Sequence, residues 1–238
     1  MRKIKNSPVL LLLILMVVSN LLSNGFSNPM DWFMSKLIML PGIIIGLSFH
    51  EFAHGYVSHK LGDPTPEMQG RLTINPAAHI DPFGFIALIF AGFGWGVPVQ
   101  IDPRYYKNRR SGELMVGFAG VTMNLIIAVV FCFIIKGVFL LNPPFLSGNL
   151  GQVLIDMLLS VVSINIVLMV FNLLPVPPLD GFGIVTQIFN LEKYSWYYTV
   201  YNNGFPILMV LIILNVTGKI LTPIVNAVMS FLINTIIF

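Results

Sequence analysis

Long apolar runs dominate this chain, and short polar segments separate them. Several of the runs reach the roughly 20 residues with which an α-helix crosses the hydrocarbon core of a bilayer. The pattern predicts an all-α integral membrane protein with about six transmembrane helices, folded as a single polytopic domain over residues 1–238. The apolar runs lie near residues 8–22, 32–58, 83–93, 112–141, 152–174 and 205–238.

Basic residues set the predicted orientation of these spans. Arg2, Lys3 and Lys5 precede the first apolar run, whereas the loop 24–31 that follows it holds no Lys or Arg. Cytoplasmic flanks are enriched in Lys and Arg, so we expect the N-terminus in the cytoplasm. The basic start and short apolar core also fit a cleaved signal peptide or a loose attachment, but no clear small-x-small cleavage site follows, so we favour a retained first helix. The second span then runs inward. At 1.5 Å per residue, His50 lies about 27 Å below the start of that span, toward the cytoplasm.

The run at 83–93 is too short to cross the membrane and interrupts this series. The segment 60–84 before it is rich in Pro, Gly and Asp and is expected to be irregular. The basic residues near 104–110 after it again indicate the cytoplasmic side. Because both flanks are expected on one side, we predict a re-entrant segment near 83–101, with a short β-strand in the alternating stretch 97–101.

The C-terminal run is less regular than the others. It predicts two weaker apolar helices, divided around Thr217, Gly218 and Lys219. Whether both of them cross the membrane is left open by the pattern.

Composition excludes several other classes of protein. Hydrophobic residues make up 56% of the chain and charged residues only 10%, against roughly 25% charged in a soluble domain. The net charge of +3 is small and scattered, which argues against nucleic acid as a partner. The single cysteine, Cys132, excludes a disulfide framework and a thiolate metal site. Nothing in the pattern indicates the oligomeric state.

His50, Glu51 and His54 lie inside the second apolar run, where ionisable side chains are costly and usually functional. Residues four apart stack on one face of a helix, so the two histidines can offer both imidazoles to one metal ion. Glu51 beside them can then act on a water molecule. The alternative is a pair of histidines that only packs helices together, with a buried glutamate that has no role.

A catalytic zinc site needs a third protein ligand. His59 is about 180° around the helix from His50 and faces away. Asp156 is expected at the outer end of its span, on the wrong side of the membrane. Asp180 follows the inward end of the same span, after a proline-rich break, and is the favoured third ligand on topology. His79, in the irregular loop, is the next candidate.

Two motifs together resemble the site-2 protease family of intramembrane zinc metalloproteases. The first reads HEFAH, from His50 to His54, and the second reads NLLPVPPLDG, residues 172–181. That family pairs His-Glu-x-x-His with Asn-x-x-Pro-x-Pro-x-x-Asp-Gly. Residues 60–84 also resemble the segment that follows the first motif in compact bacterial and archaeal members. The likeness covers roughly residues 35–190, with a catalytic core over about 32–190.

The resemblance implies a function and a set of site residues. It implies His50, His54 and Asp180 as the ligands of one zinc ion, Glu51 as the general base, and Asn172 as a polar partner for the substrate or the oxyanion. It also implies an active site within the membrane that faces the cytoplasm. The expected substrates are transmembrane proteins or peptides of the cell membrane, cut in regulated intramembrane proteolysis.

The chain departs from the family pattern in the third apolar helix. Many relatives have Gly-Pro-x-x-Asn there, whereas this chain has Gly120, then Val121 in place of the proline, and Asn124. That difference bears on the local helix geometry. Asn124 itself fits a helix-to-helix hydrogen bond better than a catalytic role. No PDZ-like or CBS-like domain is expected in the sequence.

Two other functions remain as alternatives. A metal-ion transporter would use the same residues as a pathway, although transporters tend to show internal repeats that this sequence lacks. A catalytically retired homologue would bind membrane partners without cleaving them. Neither the transporter nor the retired homologue needs Glu51 as a general base, whereas the protease does.

Overall fold

The computed structural model describes Val18 and residues 28–91, 94–141 and 143–238. This part of the chain is helical and contains no β-sheet, which confirms the all-α prediction. The helices, in chain order, are α1 (Pro29–Lys60), α2 (Thr65–Met68), α3 (Pro82–Ala91), α4 (Arg109–Leu141), α5 (Pro143–Leu146), α6 (Asn149–Asn172), α7 (Asp180–Phe189), α8 (Tyr197–Asn202), α9 (Gly204–Ile213) and α10 (Val216–Leu232).

Four helices of the described chain are long and apolar enough to cross a membrane. They are α1, α4, α6 and the helix formed by α10 with the turn that continues it to Ile237. Helix α1 has 32 residues and therefore extends for about 48 Å, well beyond the roughly 30 Å of a hydrocarbon core. The protein is an integral membrane protein on this evidence of length and composition.

Helices α1, α4 and α6 pack against one another and form the centre of the molecule. Glycines allow α1 and α6 to approach closely: a Cβ on Gly42 would lie 3.0 Å from the carbonyl oxygen of Ser160, and a Cβ on Gly46 would lie 3.3 Å from Oδ1 of Asn165. The four-residue spacing of Gly42 and Gly46 puts both on one helix face, as is usual where membrane helices touch.

A compact apolar cluster joins α4 and α6 to the C-terminal helix. Because its members come from three spans, burial of these side chains ties the C-terminus to the central helices. The buried residues of this cluster are Ala128, Cys132, Ile135, Val162, Ile166, Val170, Leu232 and Ile237. Cys132 is a packing residue here, as expected from its apolar surroundings.

The number and limits of the spans differ in part from the predictions. The predicted first span at 8–22 lies outside the described residues, apart from Val18. In the C-terminal run the helices divide at Leu214 and Asn215 rather than at 217–219, because Asn215 adopts a positive φ of 55°. Helix α9 therefore has only 10 residues and is too short to cross the membrane as a straight helix.

The segment 83–101 also differs from the prediction of a strand. Helix α3 occupies its first part, and the stretch 97–101 has no regular secondary structure. One isolated antiparallel bridge joins Ile80 to Gly96 in place of the predicted strand. A proline at position 98 lacks the N–H that a continuous ladder would use. The re-entrant position of this segment stays a prediction.

Candidate metal centre

Three side chains from two helices meet inside the described structure. Helix α1 presents His50 and His54 on one face, because their spacing of four residues is close to one helical turn. Helix α6 ends at Asn172, and a turn containing three prolines leads to Asp180, the first residue of α7. Gly181 lets this turn fold back tightly, since a Cβ there would clash with the carbonyl group of Leu173.

The three ligand atoms lie close together and are largely withdrawn from solvent. Nε2 of His50 is 3.0 Å from Nε2 of His54, and Oδ2 of Asp180 is 3.2 Å from each of these nitrogens. The exposed fraction of the side chain is 7% for His50, 12% for His54 and 20% for Asp180. Ligands bound to a tetrahedral zinc ion at about 2.0–2.1 Å would lie about 3.3 Å apart, so the spacing fits that ion.

The outer nitrogens of both imidazoles are already engaged. Nδ1 of His50 lies 2.7 Å from Oδ1 of Asn124, and Nδ1 of His54 lies 2.8 Å from the carbonyl oxygen of Val116. Both partners are acceptors, so a neutral ring here carries its proton on Nδ1 and presents the lone pair of Nε2. Both rings are therefore oriented so that Nε2 is the nitrogen available to a metal ion.

This assignment has an electrostatic consequence. With both rings neutral, two nitrogen lone pairs and the Oδ2 oxygen of Asp180 face one another within about 3 Å, and that oxygen is then buried without a hydrogen-bond donor. Three electron-rich atoms in such a space repel one another unless a cation lies between them. The chemistry of the donor set therefore fits a divalent metal ion, as the two-motif pattern predicts.

Asn124 connects the first ligand to the neighbouring helix. Its amide group donates to the carbonyl oxygen of Gly46 at 3.1 Å and to Oδ1 of Asn165 at 2.9 Å. Asn165 in turn donates to the carbonyl oxygen of Val161 at 2.8 Å. These two donations leave Oδ1 of Asn124 as an acceptor for His50, and both asparagines are fully buried. The expected helix-to-helix hydrogen bond of Asn124 is present, and the same side chain also orients a ligand.

Gly120 provides the space that the imidazoles occupy. A Cβ on Gly120 would lie 2.5 Å from Nε2 of His54 and 2.5 Å from Cε1 of His50. Any larger residue at this position would enter the volume of the metal site. The glycine of the Gly-Val-Thr-Met-Asn sequence thus has a direct steric role, and it does not depend on the proline that Val121 replaces.

Glu51 lies next to the ligands in sequence and is bound to a loop. Its Oε2 accepts a hydrogen bond of 2.9 Å from the backbone N–H of Val99. Asn172, the other predicted catalytic residue, donates to the carbonyl oxygen of Leu168 at 2.9 Å, within its own helix. Glu51 thus lies on the same helix as the two histidines with one carboxylate oxygen bonded to a loop, and the amide of Asn172 is used within its own helix.

The other candidate ligands lie elsewhere. Nε2 of His79 lies 2.6 Å from the carbonyl oxygen of Thr73, in the loop that carries both residues. Nδ1 of His59 lies 3.7 Å from the carboxylate of Glu67. Neither histidine belongs to the group formed by His50, His54 and Asp180, which is a possible metal site among the described residues.

Sequence reasoning missed two contacts of this centre. The bond between Glu51 and Val99 joins residues 48 apart, and no periodicity signals such a pair. Asn165 is an amide side chain in the middle of an apolar span, and that position was the available signal that it has a buried partner.

Comparisons with known proteins agree with this geometry. The model of peptidase family M50 matches residues 38–214. "Putative zinc metalloprotease YwhC" of Bacillus subtilis is 36% identical over 187 residues, which cover 78% of this chain and 84% of that protein. "Putative zinc metalloprotease Rip2" of Mycolicibacterium smegmatis is 26% identical over 222 residues, 89% of this chain and 82% of that protein. No solved structure is significantly similar to the chain.

Proposed function

Because the chain belongs to peptidase family M50, the family of the site-2 proteases, we propose that it is a zinc metalloendopeptidase that hydrolyses peptide bonds in transmembrane segments of its substrates. The observation that carries the proposal is the convergence of His50, His54 and Asp180 within 3.2 Å of one another. Three protein ligands leave a fourth position of a tetrahedral ion open, which is the arrangement of catalytic zinc sites.

A zinc ion bound here would supply Lewis acidity toward the scissile carbonyl and a water molecule. His50, His54 and Asp180 hold the ion, and Asn124 and Val116 fix the two imidazole rings by their bonds to Nδ1. Neutral imidazoles and one carboxylate would leave a net positive charge on a divalent ion held by these residues.

Glu51 acts as the general base in this proposal. It follows His50 directly on α1, accepts the proton of the attacking water, and delivers it to the leaving amine. A correctly placed base typically contributes 10²–10⁴-fold to the rate. Asn172 has a supporting role toward the substrate or the oxyanion, for which its amide must leave the carbonyl oxygen of Leu168.

The active site is proposed to face the cytoplasm. The two histidine ligands lie near the C-terminal end of α1, ten and six residues before its last residue, Lys60. The start of α4 carries Arg109 and Arg110, and the positive-inside tendency assigns that end to the cytoplasmic side. Water can reach the site from this side without crossing the hydrocarbon core.

Replacement of Glu51 by glutamine tests the function. The variant Glu51→Gln is expected to keep its zinc and its fold, because no metal ligand changes, while cleavage falls at least 10²-fold. The measurement is cleavage of a quenched fluorescent apolar peptide in detergent micelles, together with zinc content. A comparison of membrane proteomes from cells with each form would identify the accumulating substrate. Near-normal cleavage by Glu51→Gln would refute the assigned mechanism.

A metal-ion transporter would use the same ligands differently, and an assay of zinc transport beside peptide cleavage separates the two functions. In proteoliposomes, a transporter would carry zinc across the bilayer and would not cleave the peptide. A retired homologue would do neither. The site is a single cluster in the described residues, whereas transporters commonly place their sites between repeated halves, so we favour the protease.

A further inference from the structure

A loop lies directly against helix α1 at the level of Glu51. The backbone N–H of Val99 donates to Oε2 of Glu51 at 2.9 Å. The side chain of Val99 covers the next turn of the helix, since a Cβ on Gly55 would lie 3.3 Å from Cγ1 of Val99. The hydrogen bond fixes one oxygen of the carboxylate, and the orientation of that carboxylate determines where its second oxygen points.

This loop segment, residues 97–102, has no regular secondary structure, so other bonds must hold it in place. At its C-terminal end, the N–H of Asp102 donates to Oδ2 of Asp63 at 2.7 Å. At its N-terminal end, the N–H of Val97 donates to the carbonyl oxygen of His79 at 2.8 Å, and the guanidinium group of Arg71 donates to the carbonyl oxygen of Val97. The bond to Glu51 lies between these two attachments.

Asp63 is a fully buried carboxylate that the reaction does not use. It accepts hydrogen bonds from the hydroxyl group of Ser58 at 2.7 Å and from the N–H of Thr65 at 2.9 Å, besides the one from Asp102. Burial raises the pKa of Asp63, but the hydrogen bonds from Thr65, Asp102 and Ser58 outweigh it and hold the pKa below its usual value. An ionised carboxylate thus joins the end of α1 to the loop.

We propose that Asp63 is a positioning residue for Glu51, acting through residues 97–102 and the N–H of Val99. The proposal rests on the function proposed above, in which Glu51 is the base. Loss of Asp63 releases one end of the loop and lets the donor of Val99 move. A shift of about 1 Å in a catalytic group can cost on the order of 10²-fold in rate.

The metal ligands do not depend on this loop. His50 and His54 are oriented by Asn124 and Val116 of α4, and Asp180 begins a different helix. A change at Asp63 is therefore expected to act on turnover and to leave zinc binding intact. That separation distinguishes a positioning role from a general loss of structure.

The test measures kcat, KM and zinc content for Asp63→Ala, for Val99→Pro, and for the two combined. Both single variants are expected to lower kcat on the order of 10- to 100-fold, with KM and zinc close to those of the wild type. Because both act through one hydrogen bond, the combined variant should lose no more than the worse single variant. Asp63→Asn keeps part of the acceptor set and should lose less than Asp63→Ala.

Two variants control for side effects. Glu67→Ala removes an exposed carboxylate from helix α2, four residues after Asp63, and is expected to keep normal turnover. Val99→Ala keeps the backbone N–H and should lose less activity than Val99→Pro.

Normal kcat in Asp63→Ala, or losses that multiply in the combined variant, would overturn the proposal. Loss of zinc in step with activity would do the same, because Asp63 would then be only structural. Faster turnover in Val99→Pro would also contradict it, because the loop would then restrain the base. If Asp63→Ala does not fold, Asp63→Asn and Val99→Pro carry the same comparison. Failure of the proposed function appears separately, as a wild type that does not cleave or as an active Glu51→Gln.

Discussion

At the scale of single residues, the metal centre depends on the ring nitrogens that face away from the metal. Nδ1 of His50 donates to Asn124, whose own amide is held by Gly46 and Asn165. Nδ1 of His54 donates to a backbone carbonyl group, which no side-chain substitution removes. A side-chain substitution can therefore remove the hydrogen-bond acceptor of His50, at Asn124, but not that of His54.

Asn124→Ala is expected to weaken zinc binding about 10- to 100-fold, because His50 loses the acceptor that fixes its tautomer and ring orientation. The measurement is the zinc dissociation constant from competition with a chelator in detergent. Thr122→Ala is a matched control, since Thr122 is an exposed polar residue of the same helix. Equal zinc affinity in Asn124→Ala and the wild type would show that the asparagine only joins helices.

At the scale of elements, the site depends on how closely α4 approaches α1. Gly120 faces both imidazoles, and a methyl group there would lie 2.5 Å from Nε2 of His54. Gly120→Ala is therefore expected to lose most of the zinc and the activity while the helices remain folded. Gly137→Ala in the same helix is the control, because a Cβ there meets nothing within 4 Å. Full zinc content in Gly120→Ala would mean that the helices can separate without loss of the site.

The elements also show how far the sequence can predict this protein. The long spans and the grouping of His50, His54 and Asp180 follow from local signals, namely apolar length, the His-Glu-x-x-His spacing and the break before Asp180. The break between the two C-terminal helices was predicted two residues too late. The nearby Gly218 is the stronger sequence signal for a helix break, whereas the structure has the positive φ at Asn215. The strand predicted at 97–101 is absent, because alternation of apolar and polar residues does not supply a neighbouring strand. The backbone N–H groups of Val99 and Asp102 donate to carboxylate side chains instead.

At the scale of the whole molecule, the proposed orientation in the membrane can be measured. With Cys132 replaced by alanine, single cysteines can be placed at Ser111, in the first turn of α4, and at Ser147, six residues beyond its last residue; both positions are exposed. If the active site faces the cytoplasm, an impermeant thiol reagent should label Ser147→Cys on intact cells, and Ser111→Cys only after permeabilisation. The reverse pattern would place the active site on the outer side.

The central claim is that His50, His54 and Asp180 together hold one zinc ion for peptide hydrolysis. The most direct test is zinc content and peptide cleavage of Asp180→Ala and His79→Ala, purified in the same detergent. Asp180→Ala should leave a two-histidine site that retains little zinc and has no activity, because a catalytic zinc site needs its third ligand. His79→Ala should keep its zinc, since His79 bonds to its own loop. Full zinc in Asp180→Ala, together with none in His79→Ala, would contradict the account.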